Sequence, residues 1–110
     1  MGSIVKANCP CGFQKGVRIG GGRLTFMEES VFPHYCKKCG LVEVNICDRK
    51  KRCPTCSSSR VHAYGSPKVS PYDNGDRAVA WQEYAASASQ HFCPSCKKYH
   101  LSFEQMGFFD

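Results

Sequence analysis

The chain has 110 residues, with 15 Lys or Arg against 9 Asp or Glu, which gives a formal net charge of +6. Only three Leu and three Ile accompany ten Gly and six Pro, so the sequence offers little apolar surface, and domains this small usually need a metal or disulfides. No apolar run approaches the roughly 20 residues that span a membrane, and we expect no membrane partner.

Cysteine spacing is the strongest signal in the chain. Two thiolates separated by one or two residues can chelate one metal ion from a tight turn, and two such turns supply the four sulfurs that structural zinc favours. Eight of the nine cysteines form four such pairs, here called knuckles: Cys9 and Cys11, Cys36 and Cys39, Cys53 and Cys56, Cys93 and Cys96. The sequence therefore predicts two Zn²⁺ ions as cofactors, with Cys47 left over as a half-buried thiol.

Disulfides are the alternative use of these cysteines. The odd cysteine count, the close spacing and the lack of an apolar segment after Met1 all favour metal instead. Metal ligation by free thiolates implies a reducing compartment, which we expect to be cytoplasmic, with the nucleus also open.

In chain order, residues 1–47 are predicted to form a first zinc ribbon. Strands are expected over 13–19, over 23–27 and, most clearly, over 41–46, where apolar residues alternate. Residues 48–52 are a basic connector.

Residues 53–110 are predicted to form a second zinc ribbon with a C-terminal tail. Strands are expected over 60–64 and 99–103, separated by a loop and by a helix over 77–89 that Asp76 would cap. The apolar tail at 106–109 is expected to dock on its own ribbon. The predicted fold class is therefore a small, metal-stapled, mainly β protein of two zinc ribbons, with one short helix in the second unit.

Two pairings of the knuckles are open. Sequential pairing joins Cys9 and Cys11 to Cys36 and Cys39 as site 1, and Cys53 and Cys56 to Cys93 and Cys96 as site 2, across 24 and 36 residues. Nested pairing instead joins the two middle knuckles across 13 residues in one site, and the two outer knuckles form the other site. We expect sequential pairing, because shorter loops cost less entropy to close.

The motifs Cys-Pro-Cys-Gly at 9–12, Cys-Lys-Lys-Cys-Gly at 36–40, Cys-Pro-Thr-Cys at 53–56 and Cys-Pro-Ser-Cys at 93–96 resemble the zinc-ribbon superfamily, as two ribbons in tandem. The first knuckle departs from the usual two-residue gap, and Ser57 and Lys97 replace the Gly that often follows a knuckle. Rubredoxins share such knuckles, so the resemblance implies zinc in the native protein, with iron able to substitute on recombinant expression.

Histidines could replace a cysteine ligand. His34 and His91 each lie two residues before a knuckle cysteine, but four thiolates already complete each site, so we expect local hydrogen bonds instead. The same ligand count closes both sites and argues against catalytic zinc, which keeps an open position.

Basic residues are concentrated near the middle of the chain. Eight thiolates and two Zn²⁺ ions would lower the net charge to about +2, yet residues 31–60 hold seven Lys or Arg against two acids. The candidate contacts to nucleic-acid phosphates are Lys37, Lys38, Arg49, Lys50, Lys51 and Arg52. The alternative is that the lysines balance the negative zinc–thiolate centres, and that 49–52 is a solvated linker. Tyr64, Tyr72 and Tyr99 are the candidate stacking surfaces.

A second resemblance concerns Glu28 and Glu29. Transcript-cleavage factors of RNA polymerases carry a ribbon with 24 residues between knuckles and an acidic pair at a hairpin tip. Here the interval matches but the flanking signature is absent, and a solvated tip is the preferred interpretation.

These observations predict a non-enzymatic zinc-binding module that binds nucleic acid or a nucleoprotein complex. The alternative is a protein–protein adaptor or inhibitor, including one of viral or mobile-element origin, whose Phe-rich tail or 65–75 loop meets a protein partner. An RNA-polymerase-associated ribbon and an enzyme rank below both.

Overall fold

The computed structural model describes residues 2–21 and 28–109. Its eight strands are β1 (Gly2–Asn8), β2 (Gln14–Ile19), β3 (Val31–Cys36), β4 (Gly40–Asn45), β5 (Val61–Ala63), β6 (Val79–Trp81), β7 (Tyr84–Ala86) and β8 (Ser102–Phe109). They form sheets with the orders β2-β1-β8 and β4-β3-β5 and a hairpin of β6 and β7, and every pair is antiparallel. The strand predicted over 23–27 lies outside the described residues.

The first sheet joins the two ends of the chain. Its central strand β1 pairs with β2 on one side and with β8 on the other, where Gly2 faces Phe109 and Asn8 faces Ser102. Val5 and Ala7 alternate along β1 and are fully buried, as expected for a strand with one face on a core. The end of β1 therefore lies beside the beginning of β8.

The second sheet is built around β3, which is buried along most of its length. Cys36 faces Gly40 in β4 on one side and Val61 in β5 on the other. The two sheets are connected where Gly20 and Val31 exchange backbone hydrogen bonds of 2.7 and 3.0 Å.

Strands from before and after the predicted connector, residues 48–52, pair with one another. β8 adds to a sheet otherwise formed by β1 and β2, and β5 adds to one formed by β3 and β4. The main apolar core likewise combines Val5, Val17 and Phe32 with Tyr64 and Leu101. Each sheet thus contains strands from both predicted ribbons.

The helix predicted over 77–89 is wrong, because the described residues contain no helix and this segment forms the β6–β7 hairpin. Gln82, at φ 55°, makes the turn between the two strands. A helix here would have presented mostly alanines to the core, whereas the hairpin buries Val79 and lays Trp81 against Gly20, where any β-carbon would overlap the indole ring. Burial in the tertiary structure has overridden the helical spacing.

The predicted docking of the tail on its own ribbon is also wrong. The tail forms most of β8 and pairs with β1 of the first unit, which leaves Phe108 80% and Met106 58% exposed. The strands predicted over 13–19, 41–46 and 60–64 are confirmed as β2, β4 and β5, whereas only the end of 99–103 falls in β8. No helix within the described ranges has the length and apolar character needed to cross a membrane.

Candidate metal centres

The eight knuckle cysteines come together in two groups of four. One group, here called cluster A, contains Cys9, Cys11, Cys93 and Cys96; the other, cluster B, contains Cys36, Cys39, Cys53 and Cys56. Within each group the four sulfurs lie within 4.8 Å of one another. In every knuckle the first cysteine is buried and the second lies nearer the surface. Cys47 belongs to neither group and is exposed, so the prediction that it is half-buried is wrong.

Sulfur–sulfur distances test whether one ion fits each cluster. Cys9 lies 3.7 Å from Cys96 and Cys11 lies 3.7 Å from Cys93, and in cluster B Cys36 lies 3.6 Å from Cys56. Four sulfurs held at 2.3 Å around one tetrahedral Zn²⁺ would be about 3.8 Å apart. A disulfide would instead require about 2.05 Å. Both clusters therefore have dimensions suited to a tetrathiolate metal ion.

The sequential pairing of the knuckles is wrong, since the structure contains the nested one. The expectation rested on loop entropy, but closing loops of 13 and 81 residues instead of 24 and 36 costs only about 0.2 kcal/mol more, because the cost grows with the logarithm of length. The pairing of β1 with β8 outweighs this difference and brings the knuckle after β1 beside the knuckle before β8.

Each knuckle is closed by one residue with a positive φ angle, placed directly after its second cysteine. These residues are Gly12 at 104°, Gly40 at 83°, Ser57 at 62° and Lys97 at 62°. Ser57 and Lys97 donate backbone hydrogen bonds of 2.9 Å to the carbonyls of Cys53 and Cys93. The left-handed conformation is therefore adopted whether or not glycine occupies this position, although glycine adopts it with less strain.

The thiols differ in acidity within each cluster. The backbone N–H of Phe13 lowers the pKa of Cys11 to about 7, while burial raises that of Cys9 to about 12. In cluster B, burial raises the pKa of Cys53, but N–H groups of Cys56 and Thr55 outweigh it and bring the value to about 7. The pKa of Cys39 rises to about 12, chiefly through its hydrogen bond with Cys53. Each metal-free cluster thus contains one thiol that ionises near neutral pH and one that keeps its proton well above it, so a metal must displace at least that proton.

The two candidate histidines form hydrogen bonds to groups outside the clusters. His34 Nδ1 lies 2.8 Å from the carbonyl oxygen of Phe32. His91 lies 2.5 Å from Ser70 Oγ through Nδ1 and 2.7 Å from the Ser87 carbonyl through Nε2. Burial lowers the pKa of both rings, so both are neutral at pH 7.

The two predicted basic segments flank cysteines of cluster B in sequence. Lys37 and Lys38 lie between Cys36 and Cys39 and are exposed, and Arg52 directly precedes Cys53. Arg49 and Lys50 are exposed on the connector, where Lys51 Nζ donates a 2.8 Å hydrogen bond to the carbonyl of Asp48.

A basic cleft lies between the two clusters. Its cavity of about 370 Å³ is lined by four lysines from three knuckle regions, Lys15, Lys37, Lys38 and Lys97, and by the rings of Phe13, Tyr35 and Pro94. Lys15 Nζ donates a 2.6 Å hydrogen bond to the Leu41 carbonyl. The sequence analysis predicted Lys37 and Lys38 but missed Lys15, since only the folded chain brings it here, and noted Lys97 only as a residue in place of a knuckle glycine.

Two further sequence predictions concern Tyr64 as a stacking surface and Glu28 and Glu29 as an acidic hairpin tip. Tyr64 is not an exposed stacking surface, because it is 1% exposed and its hydroxyl donates a 2.7 Å hydrogen bond to the Phe92 carbonyl. Glu28 and Glu29 are exposed before β3. The 24-residue interval that contains them runs from cluster A to cluster B, so it does not separate the knuckles of one site as in transcript-cleavage factors.

No protein-family model, no curated protein and no solved structure matches this chain. The candidate sites therefore depend on their own geometry and chemistry.

Proposed function

We propose that this protein is a non-enzymatic zinc-binding module that binds nucleic acid, alone or within a nucleoprotein complex, through the basic cleft. The observation that carries the proposal is the convergence of Lys15, Lys37, Lys38 and Lys97 on one cleft, where none of the described lining residues is acidic. Such a group of ammonium ions is the feature that phosphate oxygens recognise.

Charge balance with the metal accounts for only part of this basicity. A zinc ion bound by four thiolates carries about −2. Between Cys36 and Cys56 the sequence holds six basic side chains, two within a knuckle and four in the run 49–52, against two acids, Glu43 and Asp48. Positive charge therefore remains after the metal centre is balanced.

Zinc in a structural role fits both sites. Four thiolates complete a tetrahedron and leave no position for substrate or water, which is the arrangement of structural zinc. Sites of this kind belong in a reducing compartment, because oxidised cysteines cannot bind the metal.

The test is a titration of the zinc-loaded protein against labelled single-stranded RNA, single-stranded DNA and duplex DNA, at about 50 mM and about 200 mM salt. The variant K37E/K38E reverses charge in the cleft, and reversal of all four residues at 49–52 tests the connector. K6E/K68E is the matched control, since neither Lys6 nor Lys68 lines the cleft.

We expect the K37E/K38E variant to lose about tenfold or more in affinity, with a shallower salt dependence, and the control to bind like the wild type. Absence of binding to all three nucleic acids, or equal losses in K37E/K38E and K6E/K68E, would refute the proposal.

A protein–protein adaptor remains the second candidate because of the tail. Phe108 is 80% exposed and Met106 58%, and both lie on β8 at the edge of its sheet. Exposed apolar residues on an edge strand are a common route for a partner to add a strand. Loss of a protein partner in the variant F108A, with nucleic-acid binding absent, would favour this candidate.

A further inference from the structure

A second cavity adjoins the basic cleft on the side of cluster A. It has a volume of about 580 Å³ and is lined by Tyr72, Tyr99, Lys97, Lys98, Gln90 and His100, among others. Lys97 lines both this cavity and the basic cleft, so the two form a continuous surface. As in the cleft, no acidic side chain from residues 2–21 or 28–109 lines it.

Aromatic rings connect the two cavities. Tyr35 in the cleft contacts Phe92 at a centroid distance of 5.0 Å, Phe92 contacts Tyr99 at 5.6 Å, and Tyr99 contacts Tyr72 at 5.5 Å. The inner rings are partly buried, whereas Tyr72 at the outer end is 59% exposed. Phe92 and Tyr99 thus support an aromatic ring that presents much of its surface to solvent.

We propose that this second cavity, here called the tyrosine cavity, binds an unpaired base of a single-stranded nucleic acid whose phosphates lie along the lysines of the basic cleft. This inference rests on the proposed function and specifies the class of nucleic acid. Tyr72, the more exposed ring, provides the stacking face, and Tyr99 stands at 86° to it and supports it. Gln90 and His100 supply groups that can hydrogen-bond to the edge of the base.

The chemistry of the surface selects a single strand over a duplex. In a duplex the faces of the bases are covered by their neighbours, so an aromatic side chain can stack only on a base that is already unpaired or extruded. The same chemistry disfavours a protein partner, because lysine is depleted in protein–protein interfaces. Five lysines line the two cavities together: Lys15, Lys37, Lys38, Lys97 and Lys98.

The experiment measures binding of the zinc-loaded protein to oligouridylate, oligothymidylate and duplex DNA of about 12 nucleotides or base pairs by fluorescence anisotropy. The variant Y72A/Y99A removes both rings, Y72F/Y99F retains them, and F108A removes an exposed ring on β8 that does not line the cavity. We expect Y72A/Y99A to lose about tenfold to a hundredfold in affinity for the single strands, with Y72F/Y99F and F108A within about twofold of the wild type. The wild type should bind duplex more weakly than either single strand.

Folding of the variants is checked by zinc content and circular dichroism. If Y72A/Y99A fails to retain two zinc ions, Y72A alone serves as the test, because Tyr72 is largely exposed and its removal costs little packing.

The outcomes separate this inference from the proposed function. Binding that depends on Lys37 and Lys38 but is unchanged in Y72A/Y99A would overturn the tyrosine cavity and leave the proposed function standing, as would equal affinity for duplex and single strands. No nucleic-acid binding by the wild type would overturn both. A difference between oligouridylate and oligothymidylate would tell whether the ribose hydroxyl contributes to recognition.

Discussion

At the level of single residues, the knuckles show how much the backbone conformation matters to a metal centre. Ser57 and Lys97 occupy the same left-handed position as Gly12 and Gly40, at φ 62°. At this φ angle a residue with a β-carbon destabilises the folded state by about 1–2 kcal/mol. Replacement by glycine recovers only part of this free energy, because glycine has greater conformational freedom in the unfolded chain.

Replacing Ser57 by Gly should therefore stabilise the loaded protein by about 0.5–1 kcal/mol. The gain should appear as tighter metal binding at cluster B in competition with a chelator, because folding and metal binding are coupled. The opposite change, G40A, introduces strain at φ 83° and should weaken the same site. Weaker metal binding in S57G would contradict this account of the turn.

Asp73 organises the long loop between β5 and β6. Its carboxylate accepts hydrogen bonds from the backbone N–H groups of Gly75, at 2.8 Å, and Ser87, at 3.0 Å. Burial raises the pKa of this carboxyl, but these hydrogen bonds outweigh it and the pKa is lowered. A carboxylate with a lowered pKa stabilises the fold above its unfolded pKa, and the contribution is lost as the pH falls through the folded value.

The variant D73N should accordingly lower the free energy of unfolding by about 1–2 kcal/mol at pH 7, since an amide replaces a charged acceptor. The difference in the free energy of unfolding between D73N and the wild type should be constant at neutral pH and become smaller only below about pH 4. Thermal unfolding across this range measures it. D76N removes the same charge from a carboxylate that accepts no hydrogen bond from the described residues, and a loss as large as that of D73N would contradict a specific role for Asp73.

At the level of strands, the pairing of β1 with β8 has the largest consequences. It places Phe103 in the core, 6% exposed, with ring contacts to Tyr64 at 5.4 Å and His91 at 5.2 Å. The same strand then carries Phe108 into solvent. One strand thus contains two phenylalanines in opposite environments, which makes a matched pair for mutation.

F103A should destabilise the protein by about 3–5 kcal/mol, because it leaves a cavity in the core and removes aromatic contacts. F108A should change stability by no more than about 0.5 kcal/mol. Thermal unfolding of the zinc-loaded proteins compares them. Because β8 follows Cys96, F103A should also release metal from cluster A before cluster B. Equal stabilities for F103A and F108A would disprove the placement of β8.

At the level of the whole molecule, the nested pairing means that each cluster takes cysteines from both predicted ribbons. Cluster A closes a loop that contains cluster B, so a metal ion in cluster A holds the two ends of the chain together. The first sheet is linked to the same closure, because β1 ends directly before Cys9 and β8 begins at Ser102, shortly after Cys96.

Cadmium NMR can test this pairing. The protein loaded with two cadmium ions should give two tetrathiolate resonances, and C11S and C93S should perturb one of them while C36S and C53S perturb the other. Sequential pairing would instead group C11S with C36S. C47S is the control, because Cys47 belongs to neither cluster and should leave both resonances in place.

Several features could be predicted from local sequence because short-range chemistry dictates them. Spacing identified the eight cysteines that gather in the two clusters, since only close cysteines can chelate from one turn, and alternation identified β2, β4 and β5. The basic character of the 36–39 knuckle was visible in the same way. These features involve residues near one another in the chain, so their energetics hardly depend on the rest of the fold.

The tertiary structure alone decided which knuckles share a metal, how residues 77–89 fold and where Tyr64 lies. The two pairings differ by only about 0.2 kcal/mol in loop entropy, so backbone hydrogen bonds between β1 and β8, from opposite ends of the chain, determine the choice. The segment 77–89 contains a hairpin that buries Val79 and packs Trp81 against Gly20, a residue of the first predicted ribbon. The basic cleft and the tyrosine cavity exist for the same reason, since their residues are distant in sequence and adjacent only once the two ends of the chain have paired.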